Sequence, residues 1–327
     1  MPAPGVLTQR PAPGNGACAA SAGRPYLGIG LKVLSALTFT LMSAGVKSLA
    51  DRFPTGEIVF FRSAFAILPL LLWLGWQGGV AAAVRTRNLR GHVLRSIIGA
   101  AGMFAGFAGL SFLPLSDAVA IGYASPLLVV VLAALVLRER VQGYRWAAVV
   151  VGFVGVLIML APHLDLGSGG ASGSVGVLFA CLAAVCTAAA TIQVRRLTQT
   201  ERTGAIVLYF FLFTALLGLS TLVLGWRMPT LPEFGLFVLV GILGGIGQIL
   251  LTESYRYGDA SLVAPFEYTT MLWSLLIGWF VFGQLPQAAV ALGGAIVAAA
   301  GVFTVWRERR LVLERAREAA AGGARAG

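Results

Sequence analysis

What most constrains this chain is a succession of ten apolar stretches, each close to the length that crosses a bilayer. A helix rises 1.5 Å per residue, so ~30 Å of hydrocarbon takes about 20 largely apolar residues. Spans are expected at about 26–49, 56–76, 94–113, 117–137 and 144–161, and again at 175–194, 204–226, 234–254, 260–282 and 287–306. Five lie on each side of the Gly/Ser-rich segment "LGSGGASGS" at 166–174. Composition agrees: 58% of residues are hydrophobic and 11% are charged, against about 25% charged in a soluble domain. The expected fold class is an all-α polytopic membrane protein of ten transmembrane helices.

The basic residues set the orientation. With the N-terminus in the cytoplasm, nineteen arginines fall on the cytoplasmic side, and only Arg52 and Arg227 fall in loops on the other. Positive charge is retained on the cytoplasmic side of membrane proteins, so both termini are expected there. The net charge of +11 is therefore a matter of topology, and no nucleic-acid partner is implied. Arginine outnumbers lysine 22 to 2 and alanine and glycine abound, which suits a GC-rich bacterial genome and a location in the bacterial cytoplasmic (inner) membrane. Residues 1–25 lack the apolar core of a signal peptide and are expected to be a disordered cytoplasmic tail. Residues 307–327, "RERRLVLERAREAAAGGARAG", form a basic tail able to make a short helix on the inner leaflet. Cys181 and Cys186 share an apolar stretch with no metal-ligand spacing, and with Cys18 they imply no disulfide framework.

The two sets of five spans look like copies. With an offset of 145, Tyr123 meets Tyr268, Ser125 meets Thr270, and Gly155 meets Ala300. Each copy reads as a span, a short polar turn and a span rich in small residues. An odd number of spans per copy makes the second insert upside down. The charges agree: the turn "RERVQGYR" keeps three arginines, and its counterpart "GQLPQ" has none. The expectation is two inverted five-helix repeats, 26–161 and 175–306, joined by a linker at 162–174. Inverted repeats recur in secondary transporters, with the solute site near the bilayer midplane between the halves.

The stretches "LRERVQGYRWAAVVVGFVGVLIML" (137–160), "VAPFEYTTMLWSLLIGWFVFGQLP" (263–286) and "GEIVFFRSAFA" (56–66), with the ten-span layout, resemble the drug/metabolite transporter superfamily, EamA type. The resemblance covers about residues 26–306. It implies a secondary carrier of amino-acid-, nucleoside- or vitamin-like metabolites or drugs, closest to branches that move S-adenosylmethionine or riboflavin. The family often has Gly-Glu after the fourth and ninth spans. Here Arg138-Glu139 and Gly283-Gln284 stand there, which puts any gating role of the second glutamate in doubt.

Ionisable groups deep in hydrocarbon cost several kcal/mol unless they face a cavity or a partner. Arg62 lies about six residues into the second span and Glu267 about seven into the ninth. They suit a solute anchor, guanidinium for an acidic group and carboxylate for a cationic one, or a buried ion pair that fixes packing. Thr270 shares the Glu267 face at helical spacing, whereas Tyr268 points elsewhere unless the helix is broken. Pro265 and Pro126 are candidates for such breaks, the latter beside Tyr123 and Ser125. Trp273 lies deep enough to stack on a planar solute. Lys32, Lys47, Glu57, Asp117, Glu253 and Asp259 lie near span ends and are expected to snorkel to the interface. Gly102/Gly106 and Gly241/Gly245 form GxxxG faces for close helix packing.

Nucleotide-binding and metal-cluster motifs are absent from the sequence, and the two histidines, His92 and His163, fall outside the spans. No catalytic residue, metal or cofactor is expected. The leading reading is a carrier of a small organic solute working by alternating access. Proton or sodium coupling and a homodimer both remain open. The rivals are an intramembrane enzyme acting on a lipid or prenyl substrate through Glu267 or Asp117, and a non-transporting scaffold.

Overall fold

The computed structural model describes residues 25–76, 86, 88–136, 142–161, 171–197, 200–257, 264–284 and 287–326, and among them there is no strand. The helices are α1 (Pro25–Ala50), α2 (Thr55–Trp76), α3 (Leu89–Phe112), α4 (Leu115–Gly122), α5 (Ala124–Val136), α6 (Gly143–Leu160), α7 (Ala171–Leu197), α8 (Thr203–Ser220), α9 (Leu231–Tyr257), α10 (Thr269–Phe282) and α11 (Ala288–Ala326). Short 3-10 turns follow α8 (Thr221–Leu224) and precede α10 (Ala264–Tyr268). By length and composition, seven helical stretches among the described residues can cross a membrane: Tyr26–Ala50, Thr55–Trp76, Leu89–Phe112, Leu115–Val136, Gly173–Val194, Gly204–Leu224 and Leu231–Leu251. Three shorter apolar helices cover Gly143–Met159, Phe266–Phe282 and Ala288–Thr304. The outer surface is apolar in the way a lipid-facing surface must be, with Leu72, Val150, Leu157, Leu178 and Phe280 all exposed. The protein is a multi-pass membrane protein.

Capping explains where some helices depart from the apolar pattern. α3 starts five residues before Leu94, because the Asn88 side chain accepts a hydrogen bond from the Gly91 amide at 3.0 Å and closes the first turn. His92, expected outside the spans, is therefore inside α3 and buried. α7 takes residues 171–174 of the Gly/Ser-rich segment as its first turn. α11 passes without a break from the last apolar stretch into the basic tail. His163 and Cys18 lie outside the described residues, as do residues 1–24.

The packing interleaves the two halves of the chain. α3 lies along α7, and α1 along α9. α2 packs on α9, and α8 on α3. α5 touches α7, and α10 touches α1. Exchanging the halves turns each contact of these pairs into the other. α6 against α11 and α2 against α8 map onto themselves. Small residues permit these approaches. A Cβ on Gly102 would lie 2.9 Å from Cys186 on α7, and one on Gly245 would lie 2.7 Å from the Ala66 carbonyl on α2. α6 and α11 meet backbone to backbone, where a Cβ on Gly293 would be 2.4 Å from the Gly155 carbonyl. Both GxxxG faces thus lie at helix contacts, as small-residue faces do in membranes.

Three charged side chains expected at the interface are instead buried: Lys32, Glu57 and Asp117. Glu57 and Asp117 each have a hydrogen-bond partner within the protein. Glu57 accepts a hydrogen bond from the Arg227 amide at 3.1 Å, and Asp117 accepts one from the Ser116 hydroxyl at 3.1 Å. Lys32 meets the ninth stretch and belongs to the site below.

Candidate functional site

Two helix breaks face each other. α4 ends and α5 begins across Tyr123, with φ −68° and ψ −6°. The 3-10 turn gives way to α10 at Tyr268, with φ −65° and ψ −11°. These are the two tyrosines that match at an offset of 145. The first break has a local cause. Pro126 lacks an amide hydrogen, and its ring would meet the carbonyl four residues back, which is that of Gly122, the last residue of α4. The second has its proline on the other side: Pro265 lies in the 3-10 turn, three residues before Tyr268. The breaks correspond in position, although the prolines beside them do not.

The break turns Tyr268 toward the first half. The Tyr123 and Tyr268 ring centroids are 5.3 Å apart and inclined at 59°. The Tyr123 hydroxyl is hydrogen-bonded to the Thr270 hydroxyl, which in turn donates to the Glu267 carbonyl at 2.7 Å. Lys32 on α1 donates to the Glu267 carboxylate and forms an ion pair with it. The two partners differ in burial. The Lys32 side chain is 2% exposed, whereas that of Glu267 is 47% exposed. The carboxylate therefore keeps an open flank while the ammonium is enclosed. Ser125 is buried next to the first break. Trp273 lies one turn beyond Thr270, and its indole N–H is buried without a hydrogen-bond partner.

Arg62 is elsewhere. It is 5% exposed, and its guanidinium carbon lies 5.1 Å from the centre of the Phe211 ring on α8. The structure does not join it to Glu267, which has Lys32 opposite it. The sequence-expected residues thus divide. Glu267, Tyr268, Thr270 and Tyr123 come together, with Ser125, Trp273, Pro126 and Pro265 alongside in chain order, while Arg62 belongs to a second locus. Lys32 was missed because its place near the start of α1 suits an interfacial lysine, and nothing local marks a partner 235 residues away. Among the described residues no group of His, Cys, Asp and Glu could hold a metal ion.

A glycine shapes the second break. A Cβ on Gly301 of α11 would stand 1.5 Å from the Tyr268 hydroxyl oxygen, so Gly301→Ala must displace that ring. The expected cost is about 1–3 kcal/mol, as for other overpacked sites. Thermal unfolding of Gly301→Ala, Tyr268→Ala and the double variant should be non-additive, with Gly301→Ala adding almost nothing once the ring is gone. Additive losses would mean that the clash is not what constrains Tyr268.

A model of the EamA-like transporter family matches residues 26–161 and, a second time, residues 174–307. The chain belongs to the EamA-like transporter family. It is a drug/metabolite-superfamily carrier and, on that membership, not an enzyme. Among the relatives of this EamA protein, a riboflavin transporter of Rhizobium johnstonii is 33% identical over 290 residues, covering 88% of this chain and 93% of the relative. A pseudopaline exporter of Pseudomonas aeruginosa is 31% identical over 274 residues, covering 84% and 94%. An S-adenosylmethionine uptake transporter of Rickettsia bellii is 27% identical over 289 residues, covering 88% and 97%. A solved crystal structure shares the fold, with a TM-score of 0.62 at 20% identity, over 89% of this EamA chain and 99% of the other.

Proposed function

We propose that this protein is a secondary transporter that moves a small organic metabolite, nucleoside-, vitamin- or amino-acid-like, across the bacterial inner membrane by alternating access. In this reading ten spans form two inverted repeats with both termini cytoplasmic, and the three shorter apolar helices complete the count. The observation that carries it is the pair of opposed breaks at Tyr123 and Tyr268 with the Lys32–Glu267 ion pair beside them. Interrupted helices at corresponding points of two repeats mark solute sites in transporters. The exchange of contacts between halves supports the same reading, because a carrier that rocks one repeat against the other needs matched interfaces.

The chemistry of the site suits a solute with both a ring system and polar groups. Two phenols offer faces and hydroxyls. Lys32 and Glu267 satisfy each other when the site is empty. A solute donor at the open flank of Glu267, with an acceptor for Lys32, replaces that contact without leaving a charge unpaired. The relatives include proteins named for uptake and for export, so direction is a property to be measured. Reconstituted vesicles should accumulate at least one member of a labelled panel of riboflavin, S-adenosylmethionine and amino acids when a proton or sodium gradient is imposed, without ATP. Accumulation that needs ATP, or none for any member under either gradient, would count against the reading.

A further inference from the structure

The second locus has an unmatched charge. Arg62 on α2 and Arg95 on α3 both lean on α8: the Arg62 guanidinium carbon lies 5.1 Å from the Phe211 ring centre, and that of Arg95 lies 3.6 Å from the Phe210 ring centre. The two rings are 5.7 Å apart. Nε and Nη1 of each guanidinium are sealed from solvent with no hydrogen-bond partner. Neither arginine takes part in the ion pairs that join Lys32 to Glu267, Arg52 to Glu233 and His92 to Glu201. Ring faces attract cations but supply no lone pair to a guanidinium hydrogen. Two cations leaning on consecutive residues of one helix in an apolar bundle, each with unused donors, are a costly arrangement unless something negative joins them.

The surroundings hold a further unused polar group. The Ser96 hydroxyl, next to Arg95 in the chain, is also buried without a partner. A Cβ on Gly99 would come within 3.3 Å of Arg95 Nη1, and one on Gly244 within 3.0 Å of Arg62 Nε. Glycine at both positions thus gives the guanidinium groups their places. We propose that Arg62 and Arg95 form a subsite for an oxyanion, a carboxylate or phosphate group carried by the transported solute. Paired guanidinium forks match the planar, multi-acceptor geometry of such groups. The inference rests on the carrier reading and names part of its substrate: one end acidic, held between α2, α3 and α8, apart from the Lys32–Glu267 pair.

The test reads binding without transport. The full chain, purified in zwitterionic lipid nanodiscs, is titrated with sodium acetate and with methyl phosphate against sodium chloride at constant ionic strength, and thermal unfolding is followed. One of the two oxyanions should raise the unfolding temperature above the chloride control, and its apparent affinity should fall by about tenfold or more in Arg62→Gln and in Arg95→Gln. Arg95→Lys, which keeps the charge and loses the fork, should also weaken it. No oxyanion effect in the parent protein, or one that survives in both glutamine variants, would overturn the proposal. A shift produced by added phosphatidylglycerol alone would assign the arginines to a lipid headgroup and overturn it equally. Failure here leaves vesicle uptake of the metabolite panel as a separate result, so failure of the subsite and failure of the carrier reading are distinguishable.

Discussion

Glu267→Gln should abolish transport and destabilise the protein at once, while Lys32→Gln should abolish transport at a smaller cost in stability. The asymmetry comes from burial. Glu267→Gln removes the carboxylate opposite an ammonium that is 2% exposed, and breaking a buried pair by removing one partner costs about 3–5 kcal/mol. Lys32→Gln leaves a carboxylate that is 47% exposed and so is less enclosed than the ammonium, and a smaller loss is expected than for Glu267→Gln. The double variant should recover most of the stability lost in Glu267→Gln. None of the three should transport appreciably, because each charge-assisted contact to solute is worth roughly 10- to 100-fold. Uptake and thermal unfolding must be read on the same preparations. A stable double variant that transports at the parent rate would make the pair scaffold alone, and the site would have to be sought elsewhere.

The second large effect is all-or-none. Cysteine at position 284, in a protein with Cys18, Cys181 and Cys186 replaced by alanine, should react with an impermeant maleimide added to intact cells. Cysteine at position 142 should react only after permeabilisation. In the proposed arrangement both positions follow spans that correspond between the repeats, and Gln142 is exposed. Gln284 lines a cavity of about 310 Å³ with Lys47, Asp51 and Phe282. Its turn is made by Gly283, whose φ of +61° is left-handed and so favours glycine. The expectation rests on the arginines gathered on the other side. Reaction of both cysteines from one side would remove the inverted arrangement, whatever the similarity of the two halves.

Much of the architecture was legible because it is written in local chemistry. Apolar length marks the helices, glycine spacing marks the α3–α7 and α2–α9 contacts, and Pro126 announces the break at Tyr123. Glu267 stood out for the same reason, a carboxylate amid apolar residues. What was hidden depends on distant pairs. Lys32 looks interfacial until α1 is laid beside the second break. Arg95 reads as a charge at the cytoplasmic edge of the third span until the Asn88 cap starts α3 five residues before Leu94 and leaves the arginine well inside the helix. Arg62 looked like a partner for Glu267 because both are buried charges of opposite sign, yet each found a different neighbour on another helix.

The interleaving of the halves also bears on synthesis. α1 has its broadest contact with α9, and Lys32 has its carboxylate 235 residues further along the chain. At ~5–20 residues per second, ribosomes take roughly 10–50 s to make that interval. For that time α1 is in the membrane without the surface it will pack against, and its lysine without the glutamate. The position of Lys32, seven residues into α1, lets its long side chain reach the headgroups meanwhile. A nascent chain of this design is therefore held by lipid through most of its translation, and its two charged groups meet only when the ninth stretch arrives.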